Sequence, residues 1–525
     1  MSKIIQALSS PGAMRAVRGT APSNIPKPAP ETPSSNGSAK ELVATNELDY
    51  TPGYVPKKRA AALDRALDAV VHASGSTTAF IVIQAVLVAW AFLGIPFHGH
   101  QLWPIFISDA QAIFSYIFDS FLMRQQMNGF TESLTVAAEL RSRSETNGRM
   151  LAGVLLSLDD DDIGMVRAVA HNAVEIDLRL PVENAFTKVI GWMAMALGHI
   201  AFTAVYWATI IIWIAFGPSN GWSNEWQLYI NSATSALMVF IFSFLAILRE
   251  RHADYVRSCV DALYKVDGLL ELHLRRLTDD NLENEEFIIP GPKVSPIQRA
   301  INYYADVVGT LVGIAILIAV LVVWIAIGPA LHFDSNWWLF IGTYAGLIGL
   351  NDGFVLRNVQ ARLQDHEAPQ YEALEAADEA LCERLGLPST RVVARAGKQS
   401  ISFRISQRMN RFCAHELTVI AGVLLIFGLL IGSSVMRWSE TGQLLCNIPP
   451  SIIESFFMII LITGHNSADA QKRVDLENAF QRRLRILAFV DAASEIVGDR
   501  VKKTGPSVVG KKAMGRIELS VNEVE

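Results

Sequence analysis

The chain is short of charge and of cysteine. Asp, Glu, Lys and Arg together make up 18% of its 525 residues, and there are four cysteines. A soluble protein of this size needs more charge to coat its surface. With 51% hydrophobic residues and a mean hydropathy of +0.29, the composition instead describes a core that faces lipid. Cys259 and Cys382 fall on polar helical stretches, Cys413 near the inner end of an apolar run and Cys446 alone near the opposite surface, which excludes a disulfide framework. No Gly-x4-Gly-Lys-Ser/Thr loop occurs, so nucleotide-driven pumping by this chain alone is not expected. No Cys-x2-Cys pair suggests zinc or an iron–sulfur cluster. No His-x3-His cluster marks a membrane di-iron oxygenase, the nearest approach being His98 and His100. With no nucleophile–base pair and no cofactor motif, an enzyme is not expected. No cleavable leader is expected either, since the first long apolar run begins beyond residue 75.

What the chain does have is eight apolar stretches, at 77–95, 103–123, 194–216, 226–248, 306–328, 336–356, 415–436 and 444–464. Each is long enough to cross roughly 30 Å of hydrocarbon at about 1.5 Å per residue. They pair into four hairpins whose short links (96–102, 217–225, 328–336, 437–443) contain Arg437 as their single Lys or Arg. Almost every other Lys and Arg lies in the terminal arms or the long connections, so the termini and long connections are predicted to be cytosolic and the tight turns external. The expected fold is therefore an all-α integral membrane protein of eight transmembrane helices. Its expected organisation is a disordered arm over 1–60, hairpin repeats with their cytosolic helices over 61–143, 144–280, 281–390 and 391–497, and a flexible tail over 498–525.

The hairpins resemble one another. Trp90, Trp213 and Trp324 each precede a glycine (Gly94, Gly217, Gly328) and a proline (Pro96, Pro218, Pro329), which anchors a helix at the headgroup level and then stops it. The fourth hairpin keeps only Gly428 and Gly432. The returning helices begin with aromatics (Trp103, Trp226, Trp337) and end near Arg124, Arg249, Arg357 and His465. Asp119 with Arg124 matches Asp352 with Arg357, a feature that the second and fourth hairpins lack. This predicts a pseudo-fourfold bundle about the membrane normal with a truer twofold inside it, polar returning helices toward the axis and apolar ones toward lipid. Beyond the returning spans, apolar residues at helical spacing (Val256, Val260, Leu263, Leu270, Leu274; Leu476, Phe480, Leu484, Leu487) predict helices that pack on one another. The acidic run Asp159–Asp162 reads as a solvated loop.

A carboxylate inside a span costs several kcal/mol unless it is paired, faces water or binds a cation. Asp109 lies about two turns inside the outer boundary, Glu454 near mid-depth, and Asp119 and Asp352 about one turn above the inner exit. Asp109 and Asp119 would be about 15 Å apart along one helix. Gln111, Ser115, Asn231, Ser232, Thr234 and Asn351 fill the spaces between, and His465 with Asp469 shares one helix face at the inner end. Oxygen ligands with an occasional imidazole suit a divalent cation that must bind and then leave. Plainer readings stand beside these. Asp119 and Asp352 could be salt-bridged to Arg124 and Arg357, Glu454 could be a protonated group bonded between helices, and Asn231 could only join helices. His199 reads as a packing residue, and His98, His100 and His332 as solvated loop residues.

The stretch from Trp213 through Gly217-Pro218 to Trp226-Gln227-Leu228-Tyr229-Ile230-Asn231 resembles the signature of the low-affinity iron permease family, and the ending Leu461 to Leu476, with His465, Asn466 and Asp469, is similar to the last segment of its fungal members. The resemblance covers roughly 70–495 as organisation and is specific in the second and fourth hairpins. The first and third hairpins depart from it, with Ser108 and Gly342 where the second has Asn231, and the fourth has Pro449-Pro450 there. It implies a plasma-membrane transporter of Fe²⁺ of modest affinity that also passes copper, zinc or other divalent ions, with metal binding expected at Asp109, Asp119, Asn231, Asp352, Glu454 and His465. No cofactor is expected, the metal being cargo. The expected partners are divalent ions, the bilayer and, in a homo-oligomer, further copies, with no nucleic acid. A cation channel of different selectivity, and a membrane sensor acting through its cytosolic helices, are the alternatives.

Overall fold

The computed structural model of the protein describes residues 15–26, 52–56, 61–97, 102–172, 185–388 and 401–504. One order of elements occurs four times: a 13-residue helix, a break, an apolar helix, a short link and a long helix. The short helices are α1 (Ala62–Ser74), α5 (Ala185–Leu197), α8 (Pro296–Val308) and α11 (Ile401–Cys413). The apolar helices are α2 (Thr77–Phe97), α6 (Ile200–Phe216), α9 (Leu311–Ile327) and α12 (Glu416–Val435). The long helices are α3 (Leu102–Ser157), α7 (Asn224–Thr278), α10 (Ser335–Arg384) and α13 (Glu440–Thr504). α4 (Asp160–Asn172) follows α3.

Each break is a small residue followed by a capping side chain. At Gly75-Ser76, Ser76 Oγ accepts from the Ala79 amide (3.1 Å); at Gly198-His199 and Ala414-His415 the imidazole Nδ1 accepts from Ala201 and Leu417 (both 3.2 Å); at Gly309-Thr310 the hydroxyl accepts from Val312 (3.3 Å). A helix start leaves amides without partners, and these side chains satisfy one each. His199 is thus a cap. The runs expected at 194–216 and 306–328 are broken here, with bends of 53° and 68° between their two helices. Five helices are long and apolar enough to cross a membrane singly, and seven if each bent pair counts as one. The run 103–123 is helical and opens α3.

The turns repeat as well. Gly221-Trp222, His332-Phe333 and Arg437-Trp438 all take left-handed backbone conformations, and the next residue (Ser223, Asp334, Ser439) caps the returning helix. Gly217 and Gly328 make this possible: a Cβ there would lie 2.4 Å from the Trp222 ring and 2.2 Å from the Phe333 ring. Trp90 stacks on Trp103 (4.6 Å) and Trp324 on Trp337 (4.2 Å), each indole N–H donating to the other's carbonyl.

The long helices close a ring: α3 packs on α7, α7 on α13, α13 on α10 and α10 on α3. The apolar helices lie outside it. α2 covers α7, α12 covers α10 and α13, α9 touches α3 and α10, and α6 is tied to α13 by the Tyr206 hydroxyl on the Ile452 carbonyl (2.7 Å). Their outward faces are strongly apolar, with Val86, Phe92, Val205, Ile212, Val322, Leu424 and Ile431 exposed. Such surface is costly in water and neutral in hydrocarbon, so the chain is a multi-pass membrane protein. The ring order corrects one expectation. A twofold about the bundle axis exchanges opposite helices, but α3 and α10, which carry Asp119 and Asp352, are neighbours. It cannot relate them.

In the polar half the long helices form a second core, which contains Val260, Leu263, Leu270, Leu274, Leu476, Phe480 and Leu487. A buried ion network crosses it. Arg143 Nε bonds Glu271 (2.9 Å), Arg275 bonds Glu271 (2.8 Å), and Arg483 bonds Asp378 (2.9 Å) and Asp267. Burial opposes the charge on Arg483, but the two carboxylates outweigh it and raise its pKa.

The stretch 1–60 is not disordered throughout. Val17–Gly19 (β1) pairs antiparallel with Phe287–Ile289 (β2), and Ala21, Pro22 and Asn24 bond Ser142, Arg143 and Glu271. The rest of that arm, apart from 52–56, lies outside the described residues, as do His98, His100 and the tail beyond Thr504. Helix α13 continues past residue 498, where the tail was expected to begin. Asp160–Asp162 open α4 rather than a loop, with Asp162 buried and accepting from the Asp159 amide (3.3 Å). Acidic residues are favourable at a helix start.

Candidate functional site

The equivalent turns fix an equivalent level inside the ring. At one common distance along the chain from Gly94, Gly217, Gly328 and Ser433 stand Ser108, Asn231, Gly342 and Asn447, one from each long helix. All four line one narrow cavity of about 20 Å³, together with Asp109, Gln111, Ser451 and Glu454. That is room for about one water or one ion. Asn231 Nδ2 donates to Ser108 Oγ (2.9 Å), and Ser235 Oγ donates to Gln111 Oε1 (3.2 Å). The fourth hairpin's counterpart of Asn231 is therefore Asn447, not the Pro449-Pro450 pair that follows it. A Cβ on Gly342 would stand 3.0 Å from Asn447 Oδ1, so the glycine is what lets α10 approach that amide.

Deeper in the ring three hairpins contribute carboxylates. Asp119 on α3, Asp352 on α10 and Glu454 on α13 are at most 1% exposed and close enough for their charges to act on one another. Among the described residues both oxygens of Asp119, both of Glu454, Oδ2 of Asp352 and Oδ2 of Asp109 receive no well-aligned hydrogen bond, the Ser115 hydroxyl standing beside Glu454 without that alignment. Asp352 Oδ1 accepts from the Tyr304 hydroxyl (2.6 Å), a contact from α8 with no signal in the sequence. Gly349 makes room for Glu454: a Cβ there would lie 2.6 Å from Oε2.

The plainer salt-bridge reading is not what forms. Arg124 turns outward to Asp68 (2.6 Å) and Asp64 (3.3 Å) on α1, and Arg357 bonds Gln360 (2.5 Å) and the Asn410 carbonyl (3.3 Å). Among the described residues no three His, Cys, Asp or Glu side chains stand in a metal-binding arrangement. Asp119 and Asp352 line neither cavity, so the carboxylates form a cluster plus Asp109 rather than an open ladder.

His465 belongs elsewhere. It lines a vestibule of about 2100 Å³ at the polar end, with Arg249, His252, Arg357 and Asp469. Its Nε2 has no partner and its ring meets His252 edge-on at 5.3 Å. Asp469, expected to share an ion with His465, instead bonds Arg473 (3.0 Å) and His252. Burial pushes its carboxyl up, but His252, His465 and Arg473 outweigh this and bring it down to about 2. It is ionised at any physiological pH.

Comparison with known proteins bears on this geometry. The family model for low affinity iron permease matches residues 186–283 and 402–498, which contain the second and fourth hairpins. The low-affinity iron/zinc ion transport protein of Schizosaccharomyces pombe is 39% identical over 427 residues, covering 81% of this chain and 73% of that protein. The chain belongs to the low-affinity iron permease family. Another member, the low-affinity Fe(2+) transport protein of Saccharomyces cerevisiae, is 32% identical over 459 residues, covering 82% of this chain and 83% of its own length. No solved structure matches. Within this permease, the model's two matched segments supply Asn231, Asn447 and Glu454, while Asp109, Asp119 and Asp352 come from the other two hairpins.

Proposed function

We propose that this permease admits Fe²⁺, or a related divalent ion such as Zn²⁺ or Cu²⁺, across the plasma membrane into the cytosol at low affinity. The observation that carries this reading is the set of carboxylates from three hairpins, buried together with five oxygens that no well-aligned hydrogen bond reaches among the described residues. An ionised carboxylate in that state is tolerable only beside a cation; no three of them are arranged to ligate one ion among the described residues, so the ion is taken to pass between carboxylates of different helices in turn. The ion would enter at the Asp109, Asn231, Asn447 level, pass Glu454 to Asp352 and Asp119, and leave past His465 through the vestibule. The proposed arrangement is eight spans in four related hairpins, with both termini and the vestibule cytosolic. The names of both relatives support a metal cargo.

No nucleotide or bound cofactor enters the proposal. The ion gradient and membrane potential drive entry, the latter worth about 2.3 kcal/mol per charge per 100 mV and twice that for a divalent ion. The test is uptake of radiolabelled Fe²⁺ in cells that lack their own iron permeases, with Cu, Zn and Mn as competitors. Asp119→Asn with Asp352→Asn is expected to abolish uptake at unchanged protein abundance; normal uptake by this pair removes the carboxylates from the path. Gly349→Ala is a finer test. Ala favours a helix by up to about 1 kcal/mol over Gly, so the melting temperature should hold while the displaced Glu454 carboxylate lowers uptake about tenfold or more. Uptake at the wild-type rate would show that the position of Glu454 is immaterial.

A further inference from the structure

The carboxylate cluster is separated from the vestibule by positive charge. Arg249 reaches from α7 across to α3, where Nη1 donates to the Leu122 carbonyl (3.4 Å) and Nη2, with the Gln126 amide turned, donates to Gln126 oxygen (2.9 Å). Its charge also acts on His465 of α13. Arg357 reaches from α10 toward α13, its Nη1 lying 2.8 Å from where a Cβ on Gly464 would stand. Arg249, Arg357 and His465 all line the vestibule while being 8%, 3% and 9% exposed. Among the described residues neither guanidinium forms an ion pair, the nearest carboxylate acting on Arg357 being Asp365 across the vestibule wall, and Nε of each lacks a partner. Arg124, at the matching end of α3, shows the contrast: Asp64 and Asp68 neutralise it from outside the ring.

An unneutralised buried cation in the way of another cation raises its energy steeply, and doubly so for a divalent ion. We propose that Arg249 and Arg357 are the specificity-determining gate at the vestibule end of the path. They hold it shut to cations until the side chains swing into the vestibule. An ion that binds the carboxylates firmly waits for that movement, and a weakly bound monovalent ion does not. This rests on the four long helices enclosing a cation path, as proposed above.

The test uses the full-length purified protein in liposomes with an outward K⁺ gradient and a potential-sensitive dye, beside Fe²⁺ uptake in the same vesicles. Wild type and Arg249→Lys are expected to be tight to K⁺, and Arg249→Gln and Arg357→Gln to leak at least about tenfold faster. The two neutral variants sit on different helices, so whichever retains a wild-type melting profile carries the test. A folded neutral variant as tight as wild type overturns the gate, whatever happens to Fe²⁺. A K⁺ leak in a protein that never moves Fe²⁺ upholds the gate and overturns the metal reading alone.

Discussion

Glu454→Gln is expected to abolish metal uptake while making the purified protein more stable. Glu454 is 1% exposed in the middle of the ring, and among the described residues neither carboxylate oxygen receives a well-aligned hydrogen bond, with the Ser115 hydroxyl its nearest donor. Two further carboxylates act on it. Nothing in fold stability accounts for such a residue: a buried polar atom without a partner costs about 1–3 kcal/mol, and a charge costs more. An amide keeps the shape and removes the charge, so the metal-free protein should recover the part of the burial cost that came from that charge and melt higher than wild type. Uptake should fall to background, because the mid-depth charge that holds the ion is gone. The checks are thermal melting in detergent and radiolabelled uptake at matched abundance. Lower stability together with retained uptake would mean that Glu454 is a structural group after all.

The second large effect lies far from the path. Arg483→Leu leaves Asp267 and Asp378, both wholly buried, without the guanidinium that joins them. Breaking a buried pair from one side costs about 3–5 kcal/mol, since the stranded charge cannot reach water. Three of the four long helices meet at this residue, so the polar half of the bundle should loosen as a unit. Melting and hydrogen exchange over α7, α10 and α13 would show it. The expected outcome is a large drop in melting temperature with loss of protection in that half first. Arg483→Lys should recover part of it. A variant as stable as wild type would mean that the network adds no net stability.

The sequence carried some of this plainly and hid the rest for physical reasons. Asp109, Asp119, Asp352 and Glu454 stood out because an acidic residue inside an apolar helix has no cheap explanation. The tryptophan and glycine anchors marked the turns because few other residues suit that boundary. Gly342 and Gly349 carry no chemistry of their own, and their part is visible only once α13 lies against α10. Asn447 is hard to read because the prolines that follow it occupy the place where the second hairpin's pattern puts its asparagine. The breaks at His199 and Thr310 leave little trace in the sequence because a cap needs only one side-chain acceptor, and hydropathy averages over it. The ring order was not legible at all, since nothing in a single sequence says that the fourth hairpin closes on the second.

The fate of the arginines was equally a matter of partners. Arg124 and Arg357 occupy matching places five residues after an aspartate, yet α1 offers Asp64 and Asp68 to the first and α11 offers the second only a carbonyl. Spacing alone cannot separate these outcomes. Each depends on the short helix that precedes the span.

On the proposed path one metal ion is held between carboxylates of different hairpins. Diffraction at an iron or manganese absorption edge from the full-length protein grown with that ion tests it most directly. An anomalous peak bounded by Glu454 and Asp352, lost in Glu454→Gln, is the predicted result. Peaks confined to the surface or to the vestibule histidines, with the ring interior empty at saturating metal, would contradict it.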